Sequence, residues 1–339
     1  MRADRAPMHK RVGRVFTFVD ELIVALPVPS NHRELLQVHL RTNSALAEVR
    51  PKMSAAQVPL LVHEAITGDD RPVLPVAGAC ALLHLGADLF DSLLDHELPP
   101  SWHTRGSAEA SLAATTLMAA LPQLSIDCLR EQGIPPVKLW ALAHLFADTL
   151  LTMSAGQYDD MLFPNLENVS LEDSLAMAER KSGSAYALLA RAAAVLASED
   201  SFTIEAYANF GLCFGIAKQL VNDVWGIWGE ETSRDLLNGK RTLPIVHALS
   251  TLRGERHERL RKLLAAARES SEPHDEVRAL LATAGSVRYT ALILRLYQQQ
   301  ARNHLVAASP QDPAGGELHM LLDRASLLPQ PEEAPILRK

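Results

Sequence analysis

Apolar residues recur along this chain at the three- and four-residue spacing of amphipathic helices, and no stretch alternates in the way of a half-buried β-strand. Residues 185–197 are apolar on nearly every side, which predicts a buried central helix. The pattern therefore predicts an all-α protein. The predicted helices span residues 16–26, 33–49, 55–66, 107–125, 136–158, 174–181, 185–197, 202–228, 243–252, 255–268, 274–284 and 288–307, with one more that opens near 75.

The two ends of the chain differ from this helical body. Residues 1–14 are basic, and we expect them to be a disordered lead. Residues 329–339 are rich in proline and glutamate, and we expect a loose tail. Because no internal repeat and no linker divides the rest, residues 15–328 are predicted to form one domain.

Three aspartates mark the end of the helix that opens near 75. Asp88, Asp91 and Asp95 follow one another at i, i+3 and i+7, so they project from one face. His84 lies on the same side, and the opposite side is leucine-rich. Carboxylates stacked over two turns repel one another, and the end of a helix favours positive charge. The cluster therefore predicts a bound cation.

A second polar cluster closes the helix predicted over 202–228. Asn222, Gly226 and Glu230 recur at i, i+4 and i+8, and Asp223 lies beside them. A polar loop with Lys240 follows. Two oxygen-rich clusters at the ends of long apolar helices predict a shared metal site across a helical cavity, with basic side chains for an anionic ligand.

Composition narrows the class of protein. The chain has 339 residues, 47% of them hydrophobic, and a net charge of −7 with no long basic run, so nothing indicates a nucleic-acid partner. Its three cysteines fit neither a disulfide framework nor a zinc site, which favours a reducing cytoplasm. No window of about 18 uncharged apolar residues is found, so we expect a protein that does not span a membrane.

In its ordered set of motifs the sequence resembles the polyprenyl synthetase family, the trans-isoprenyl diphosphate synthases, from about residue 50 to residue 322. That family has a helix with a histidine that ends in Asp-Asp-x-x-Asp, and a second acidic motif of the form Phe-Gln-x-x-Asp-Asp-x-x-Asp. The matching elements here are His84, Asp91-Ser-Leu-Leu-Asp95, Gly156-Gln157, Lys181-Ser182, the stretch from Gln219 through Asn222-Asp223 to Gly226, and Lys240-Arg-Thr-Leu-Pro244.

The resemblance implies an isoprenoid synthase type I helical bundle around a central cavity, and a homodimer. It also implies Mg²⁺-dependent ionisation of an allylic prenyl diphosphate, for which we expect three ions. The implied metal and catalytic residues are Asp91, Asp95, Asn222 and Asp223, with Asp88 and Glu230 as further metal ligands. The implied diphosphate-binding residues are Lys181, Lys240, Gln219 and Arg105.

The second substrate site of the family is incomplete in this chain. Chain-elongating members bind isopentenyl diphosphate with Gly-Lys-x-x-Arg-Pro, an upstream histidine and an Arg-Arg pair. Arg50 and His84 fit, but Ala47 replaces the lysine, and Arg105 alone stands in a longer segment where the pair is expected. Each lost charge-assisted contact is worth roughly 1.5–3 kcal/mol. Efficient condensation with isopentenyl diphosphate is therefore not expected.

Three functions follow from that departure. The first is transfer of a prenyl group, of C15 or C20 length, to another acceptor. The second is cyclisation by a class I terpene synthase, whose Asn-Asp-x-x-Ser-x-x-x-Glu motif is matched by Asn222, Asp223 and Glu230 with Gly226 for serine. The third is a non-catalytic subunit of a heteromeric synthase.

Three further features of the sequence each allow two interpretations. Gly86 and Ala87 leave room either for a long substrate or for a close helix contact. Trp225 is either a cation-stabilising aromatic or part of the core. For Asp159-Asp160, after Gln157, a solvated helix end is favoured over a third acidic site.

Overall fold

The computed structural model describes residues 5–49, 54–229 and 234–327. Within those ranges every regular element is helical, which confirms the predicted all-α class. The α-helices are α1 (Met8–Val24), α2 (Ser30–Val49), α3 (Ser54–Thr67), α4 (Leu74–Leu94), α5 (Ser107–Thr115), α6 (Leu121–Asp127), α7 (Pro136–Leu162), α8 (Leu171–Ala178), α9 (Ser184–Ala197), α10 (Ser201–Trp228), α11 (Arg234–Leu237), α12 (Leu243–Thr251), α13 (Gly254–Ala266), α14 (His274–Thr283), α15 (Ser286–Ala307) and α16 (Ala314–Arg324).

Contacts between residues divide the chain into two compact units, and each unit is assembled from separate segments of sequence. Unit 1 comprises Met1–Leu151, Tyr186–Ala208 and Leu305–Leu318; unit 2 comprises Thr152–Ala185, Asn209–His304 and His319–Lys339. Because each unit gathers distant segments, no single linker in the sequence separates them. The single domain over 15–328 stays a prediction, and the tail at 329–339 lies outside the described residues.

Helix α1 begins earlier than predicted, so a disordered lead over 1–14 is wrong from Met8 onward. The reason is a network of buried charges in unit 1. The Arg11 side chain is 2% exposed, and its guanidinium donates to Glu64 and Asp70 at 2.6 and 2.5 Å. A basic stretch that the sequence suggests is solvated therefore packs against carboxylates from α3 and the loop after it.

Helix α4 is the central helix of unit 1, where it packs against α1, α3, α5 and α6. By length and composition alone, Leu74–Leu94 and Ser107–Gln132 are apolar enough to cross a membrane, and the bent pair α14–α15 would add a third span. This corrects the expectation that no segment is apolar enough. In the fold, 61% of the apolar window of Leu74–Leu94 is buried, so core packing accounts for its composition.

The helix predicted over 107–125 is interrupted by a π-helical turn, Thr116–Ala120, between α5 and α6. Pro122 follows that turn and has no N–H to donate to the preceding turn, which explains a wider helical step here. A second π-helical turn, Glu179–Gly183, joins α8 to α9.

Unit 2 has its own apolar core, built from the end of α10 and from α11 to α14. Two of the helices described here were not predicted from sequence. The four-residue α11 lies in a polar loop, and α16 begins next to Gly315-Gly316, which weaken its helical signal. A capping box begins α8, since Ser170 and Asp173 exchange side-chain and backbone hydrogen bonds.

Candidate active site

The first aspartate cluster lies at the C-terminal end of α4, as the sequence predicts. Asp88 and Asp91 belong to the last turns of the helix, and Asp95 is its C-cap residue. The Asp88 side chain is 61% exposed, and its Oδ2 lies 3.9 Å from His39 Nε2 on α2. Burial lowers the pKa of His39 more than the charge of Asp88 raises it. His39 is therefore mainly neutral at pH 7 and does not compensate the charge of the cluster.

The residues proposed for a second substrate site are only partly described. His84 is half-buried on α4 and meets the Tyr186 ring edge-on, at 6.5 Å between centroids. Arg50 lies outside the described residues. The Arg105 guanidinium lies 3.2 Å from Glu109 at the start of α5. With Arg33 and Arg41 it also lines a cavity of about 460 Å³ in unit 1. The role of these residues in binding diphosphate stays a prediction.

Gly86 is explained by a close contact between helices. A Cβ atom at this position would lie 2.5 Å from Met118 Cγ and 2.8 Å from the carbonyl oxygen of Ala114. Any larger residue would push α4 away from α5 and its π-helical turn. The glycine therefore supports the helix-contact reading, and it gives no reason to expect a long substrate.

A buried carboxylate holds two of the predicted diphosphate-binding lysines together in unit 2. Asp160, near the end of α7, is 7% exposed. Its Oδ2 lies 2.7 Å from Lys181 Nζ and 3.4 Å from Lys240 Nζ. The favoured reading of Asp159-Asp160 as a solvated helix end is thus wrong for Asp160. Asp159, which is more exposed, pairs with Arg180.

Gly156 allows the backbone of α7 to approach the turn that carries Lys181. A Cβ atom here would lie 2.8 Å from the carbonyl carbon of Arg180 and still closer to the Lys181 amide nitrogen. Asp160 follows Gly156 by one helical turn and therefore shares its face. That i, i+4 relation, visible in the sequence, is the signal by which Asp160 could have been found.

A short chain of hydrogen bonds reaches Asp223 on α10. Ser182 Oγ donates to Gln219 Oε1 at 2.5 Å, and Gln219 Nε2 donates to Asp223 Oδ1 at 2.8 Å. The Leu243 N–H at the start of α12 donates to Asp223 Oδ2 at 3.4 Å. Burial raises the pKa of Asp223 to about 6, although these hydrogen bonds and Lys181 act against the rise.

The other members of the second cluster face outward or lie beyond the described residues. Asn222 is exposed, whereas Asp223, the next residue, is 2% exposed. Glu230 lies outside the part of the chain that the structure describes. Trp225 is 46% exposed, and Trp228 packs against the apolar core of unit 2. Trp228 is therefore a core aromatic, while Trp225 keeps a surface that a ligand could meet.

One acidic residue near the second cluster was missed from sequence. The Asp235 carboxylate on α11 lies against Gly226, so closely that a Cβ atom at 226 would overlap it. The Asp235 carbonyl also accepts a hydrogen bond from the Lys240 N–H at 2.8 Å. Asp235 thus connects α10 with the loop that carries Lys240.

The donors in both units suit a hard cation. Among the described residues, no group of three or more His, Cys, Asp or Glu side chains is arranged to hold a metal ion. Mg²⁺ does not require such a cage, because it is commonly bound through one or two carboxylates, water and substrate phosphate oxygens. Asp91 and Asp95 in unit 1, and Asp223 in unit 2, fit that mode of binding.

Comparison with known proteins gives consistent matches. A family model described as Polyprenyl synthetase matches residues 48–282. The geranylgeranyl diphosphate synthase of Methanosarcina mazei is 28% identical over 252 residues, which cover 71% of this chain and 74% of the relative. The (2E,6E)-farnesyl diphosphate synthase of Mycobacterium tuberculosis is 28% identical over 280 residues, with 77% and 76% covered.

Solved structures share the fold over almost the whole chain. A polyprenyl synthetase from Streptomyces coelicolor A3(2) has a TM-score of 0.79 at 26% identity, covering 94% of this chain and 98% of that one. A geranylgeranyl pyrophosphate synthetase from Pyrococcus horikoshii Ot3 has a TM-score of 0.81 at 21% identity, with 95% and 98% covered. A geranylgeranyl pyrophosphate synthase from Corynebacterium glutamicum, solved with isoprenyl diphosphate and magnesium, has a TM-score of 0.76 at 17% identity and covers 95% and 99%.

Proposed function

This chain belongs to the polyprenyl synthetase family, and on that premise we propose that it ionises an allylic prenyl diphosphate with Mg²⁺ and passes the prenyl group to an acceptor. The family assignment confirms the resemblance seen in the sequence, and the chain is a prenyltransferase of isoprenoid biosynthesis. The C15 or C20 length of the substrate, three Mg²⁺ ions and the nature of the acceptor belong to the proposal.

The observation that carries the proposal is the pair of lysines on Asp160. Two ammonium groups lie within 3.4 Å of one carboxylate oxygen, in a setting where all three side chains are largely buried. A diphosphate would meet two ammonium groups that the protein already holds side by side. Lys181 and Lys240 therefore suit the binding of a departing diphosphate.

The carboxylates suit the metal part of the reaction. When bound, Mg²⁺ would neutralise the diphosphate and so make it a better leaving group. Asp91 and Asp95 lie at the C-terminal end of α4, and Asn222 and Asp223 lie next to one another on α10. We propose that Asp88 and Glu230 support these ligands. Gln219, held between Ser182 and Asp223, orients the buried carboxylate.

Two other outcomes of the same ionisation stay open to test. Cyclisation by a class I terpene synthase is favoured by Asn222-Asp223 and by the exposed ring of Trp225, which suits a carbocation. A non-catalytic subunit is favoured by the incomplete second site. The buried arrangement of Lys181, Asp160 and Lys240 supports a catalytic chain instead.

The test uses purified full-length protein with Mg²⁺ and geranyl, farnesyl or geranylgeranyl diphosphate, each with and without isopentenyl diphosphate. Released diphosphate and extracted products are measured, the latter by mass spectrometry. Hydrocarbon or alcohol from one substrate alone would favour cyclisation. Longer diphosphates that form only with isopentenyl diphosphate would overturn the proposed acceptor. No diphosphate release, with or without added acceptors, would favour a subunit.

We further propose a cytoplasmic homodimer that does not span a membrane and binds no nucleic acid. Unit 1 exposes large apolar side chains on α5 and α7, namely Leu112, Val137, Trp140 and Leu151, and a second copy would cover such a surface. Analytical ultracentrifugation of wild type and Trp140→Glu tests this: the variant should shift toward monomer. A wild-type monomer, or recovery of the protein only in detergent, would contradict it.

A further inference from the structure

We propose that Arg241, Arg261 and Arg268 form a binding site for a soluble phosphate group, separate from the lysines on Asp160. All three arginines belong to unit 2. Arg241 lies in the segment just before α12, Arg261 lies on α13, and Arg268 lies just after that helix. The inference does not depend on the proposed function, because binding of phosphate is measured without an allylic substrate.

Helix α13 presents two of the arginines on one side. Its residues Leu260 and Leu264, and Ala267 beyond its end, are buried in the apolar core of unit 2. Arg261 and Arg268 are both exposed. They are seven positions apart, or about two helical turns, so they lie along the same side of α13 and its C-terminal turn.

Gly239 brings the segment that carries Arg241 against this side of α13. A Cβ atom at 239 would lie 2.8 Å from Arg268 Nε and 2.9 Å from its Cδ. The backbone of Gly239 also has a φ of 67°, which favours glycine. Arg241 follows two residues later, so the third arginine approaches the other two from a different element.

Arg241 is a half-buried cation without a counter-charge. Burial, and then the positive charges of Arg268 and Arg261, lower the pKa of Arg241. Among the residues that the structure describes, no hydrogen bond or ion pair reaches the guanidinium of Arg241 or Arg268. Arg261 has a partner, Glu167, at 3.5 Å, but that carboxylate is 73% exposed. Since a buried charge without a partner is unfavourable, an anion at this place would stabilise the cluster.

The cluster is separate from the lysines that we assign to diphosphate. Lys240 Nζ lies 3.4 Å from Asp160 on α7, whereas the neighbouring Arg241 is affected by charges on and after α13. Two consecutive side chains thus serve different neighbours. A phosphate held by Arg241 would also fix the backbone that presents Lys240.

The chemistry of the cluster suits a phosphate group. A guanidinium can donate two parallel hydrogen bonds to phosphate oxygens. Three arginines beside one exposed carboxylate match a group with about two negative charges. A lipid headgroup would require apolar side chains beside the site, but over residues 234–284 no large apolar side chain is exposed. The ligand is therefore inorganic phosphate or the phosphate monoester of a soluble metabolite.

The experiment measures binding of inorganic phosphate by isothermal titration calorimetry, at constant ionic strength and with a chelator that removes Mg²⁺. Full-length wild type is compared with Arg241→Gln and Arg268→Gln. Arg256→Gln, exposed near the opposite end of α13, is the charge control. Lys240→Gln tests whether the site is separate from the lysines. Melting temperatures with and without phosphate, and sedimentation with phosphatidylcholine vesicles that contain phosphatidic acid, are further readouts.

We expect Arg241→Gln and Arg268→Gln each to weaken phosphate binding by about tenfold or more, as for loss of one charge-assisted contact. Arg256→Gln and Lys240→Gln should stay within about twofold of wild type. Without phosphate, Arg241→Gln should melt at a higher temperature than wild type, because an unpaired buried charge is removed. With saturating phosphate the order of the two should reverse.

Four results would overturn the inference. They are a wild type that binds no phosphate, arginine variants that bind it as wild type does, loss of binding in Lys240→Gln alone, and binding to vesicles but not to free phosphate. An Arg241→Gln protein that melts lower without phosphate would show a structural role instead. If that variant does not fold, Arg268→Gln still decides, because its side chain is exposed. Failure of the proposed function would produce none of these results, since neither Mg²⁺ nor an allylic substrate is present.

Discussion

The carboxylates at the end of α4 and those of unit 2 differ in how far the protein itself has arranged them. Asp88 is 61% exposed, and His39, whose Nε2 lies 3.9 Å from it, is mainly neutral. Asp160 and Asp223 are almost fully buried and are held by lysines, Gln219 and a backbone N–H. The α4 cluster is open to solvent at Asp88, whereas the buried cluster has a fixed geometry before any ligand arrives.

This difference predicts different responses to mutation. In the open cluster, removal of a carboxylate should greatly lower activity with little effect on stability. In the buried cluster, each change should alter stability and activity together, because the same bonds serve both.

The largest effect is expected for Asp91→Ala. Loss of a metal ligand at the leaving group should lower kcat/KM by about 10³-fold, similar to the removal of one stabilising group in other active sites. The melting temperature of the apo protein should change little, because Asp91 is only half-buried at a helix end. Enzyme kinetics and thermal denaturation measure the two quantities.

Asp127→Ala is the matched control for that variant. Asp127 lies at the end of α6 in the same unit, and its carboxylate pairs with the exposed Arg130. It should retain full activity. Full activity in Asp91→Ala as well would contradict the proposal that the α4 cluster binds metal.

A second prediction concerns the stability of the apo protein as a function of pH. Burial raises the pKa of Asp223 to about 6 from an ordinary value near 3.8, so the folded state favours the protonated form. Below about pH 4 the buried carboxyl group therefore costs no stability. Between about pH 4 and pH 6 the free energy of unfolding falls, and above about pH 6 it is lower by about 3 kcal/mol. Asp223→Asn should be more stable than wild type by about that amount at pH 7.5, and equally stable at pH 4.

Urea denaturation with a chelator present measures this difference. Addition of Mg²⁺ with pyrophosphate should stabilise wild type more than it stabilises Asp223→Asn. An Asp223→Asn protein that is less stable than wild type at pH 7.5 would show that the hydrogen bonds from Gln219 and Leu243 outweigh the cost of burial.

The sequence predicts the fold well because helical periodicity and helix-terminating residues are local properties. The end of α4 at Asp95 and the buried character of α9 both follow from nearby residues. The start of α1 could not be predicted in this way. Arg11 is buried through carboxylates more than fifty positions away, and no local pattern contains that information.

The sequence names candidate site residues where family motifs survive, and it does not reveal the neighbours that the fold brings to them. The sequence names Lys181 and Lys240 as candidates, but for Asp160, the carboxylate between them, it favours a solvated helix end. Asp235 was missed because its carboxylate lies against Gly226. A glycine has no side chain, so a single sequence does not show which residue packs against it. Close approaches such as those at Gly86 and Gly156 become visible only when the opposing helix is in place.

A third prediction tests whether the lysines bind diphosphate. Lys240→Gln should raise the KM for the allylic diphosphate and lower kcat/KM by about thirtyfold, or about 2 kcal/mol, as for loss of one charge-assisted contact. Lys181→Gln should have a similar effect. Lys262→Gln, on the exposed side of α13, is the control and should behave as wild type. Equal kinetics for all three variants would place the diphosphate elsewhere.

The smallest effect is expected at Ser182. Its Oγ donates to Gln219 at 2.5 Å, and Gln219 in turn donates to Asp223. Ser182→Ala removes one hydrogen bond and should cost about 1 kcal/mol, or about fivefold in kcat/KM. Ser182→Thr keeps the hydroxyl and should stay within twofold of wild type, unless its methyl group disturbs the π-helical turn. This chain of bonds ends on the carboxylate of Asp223. Ser182→Ala should therefore also shift the pH at which the apo protein loses stability. If the serine had a purely structural role, the variant would lose the same amount of stability at every pH.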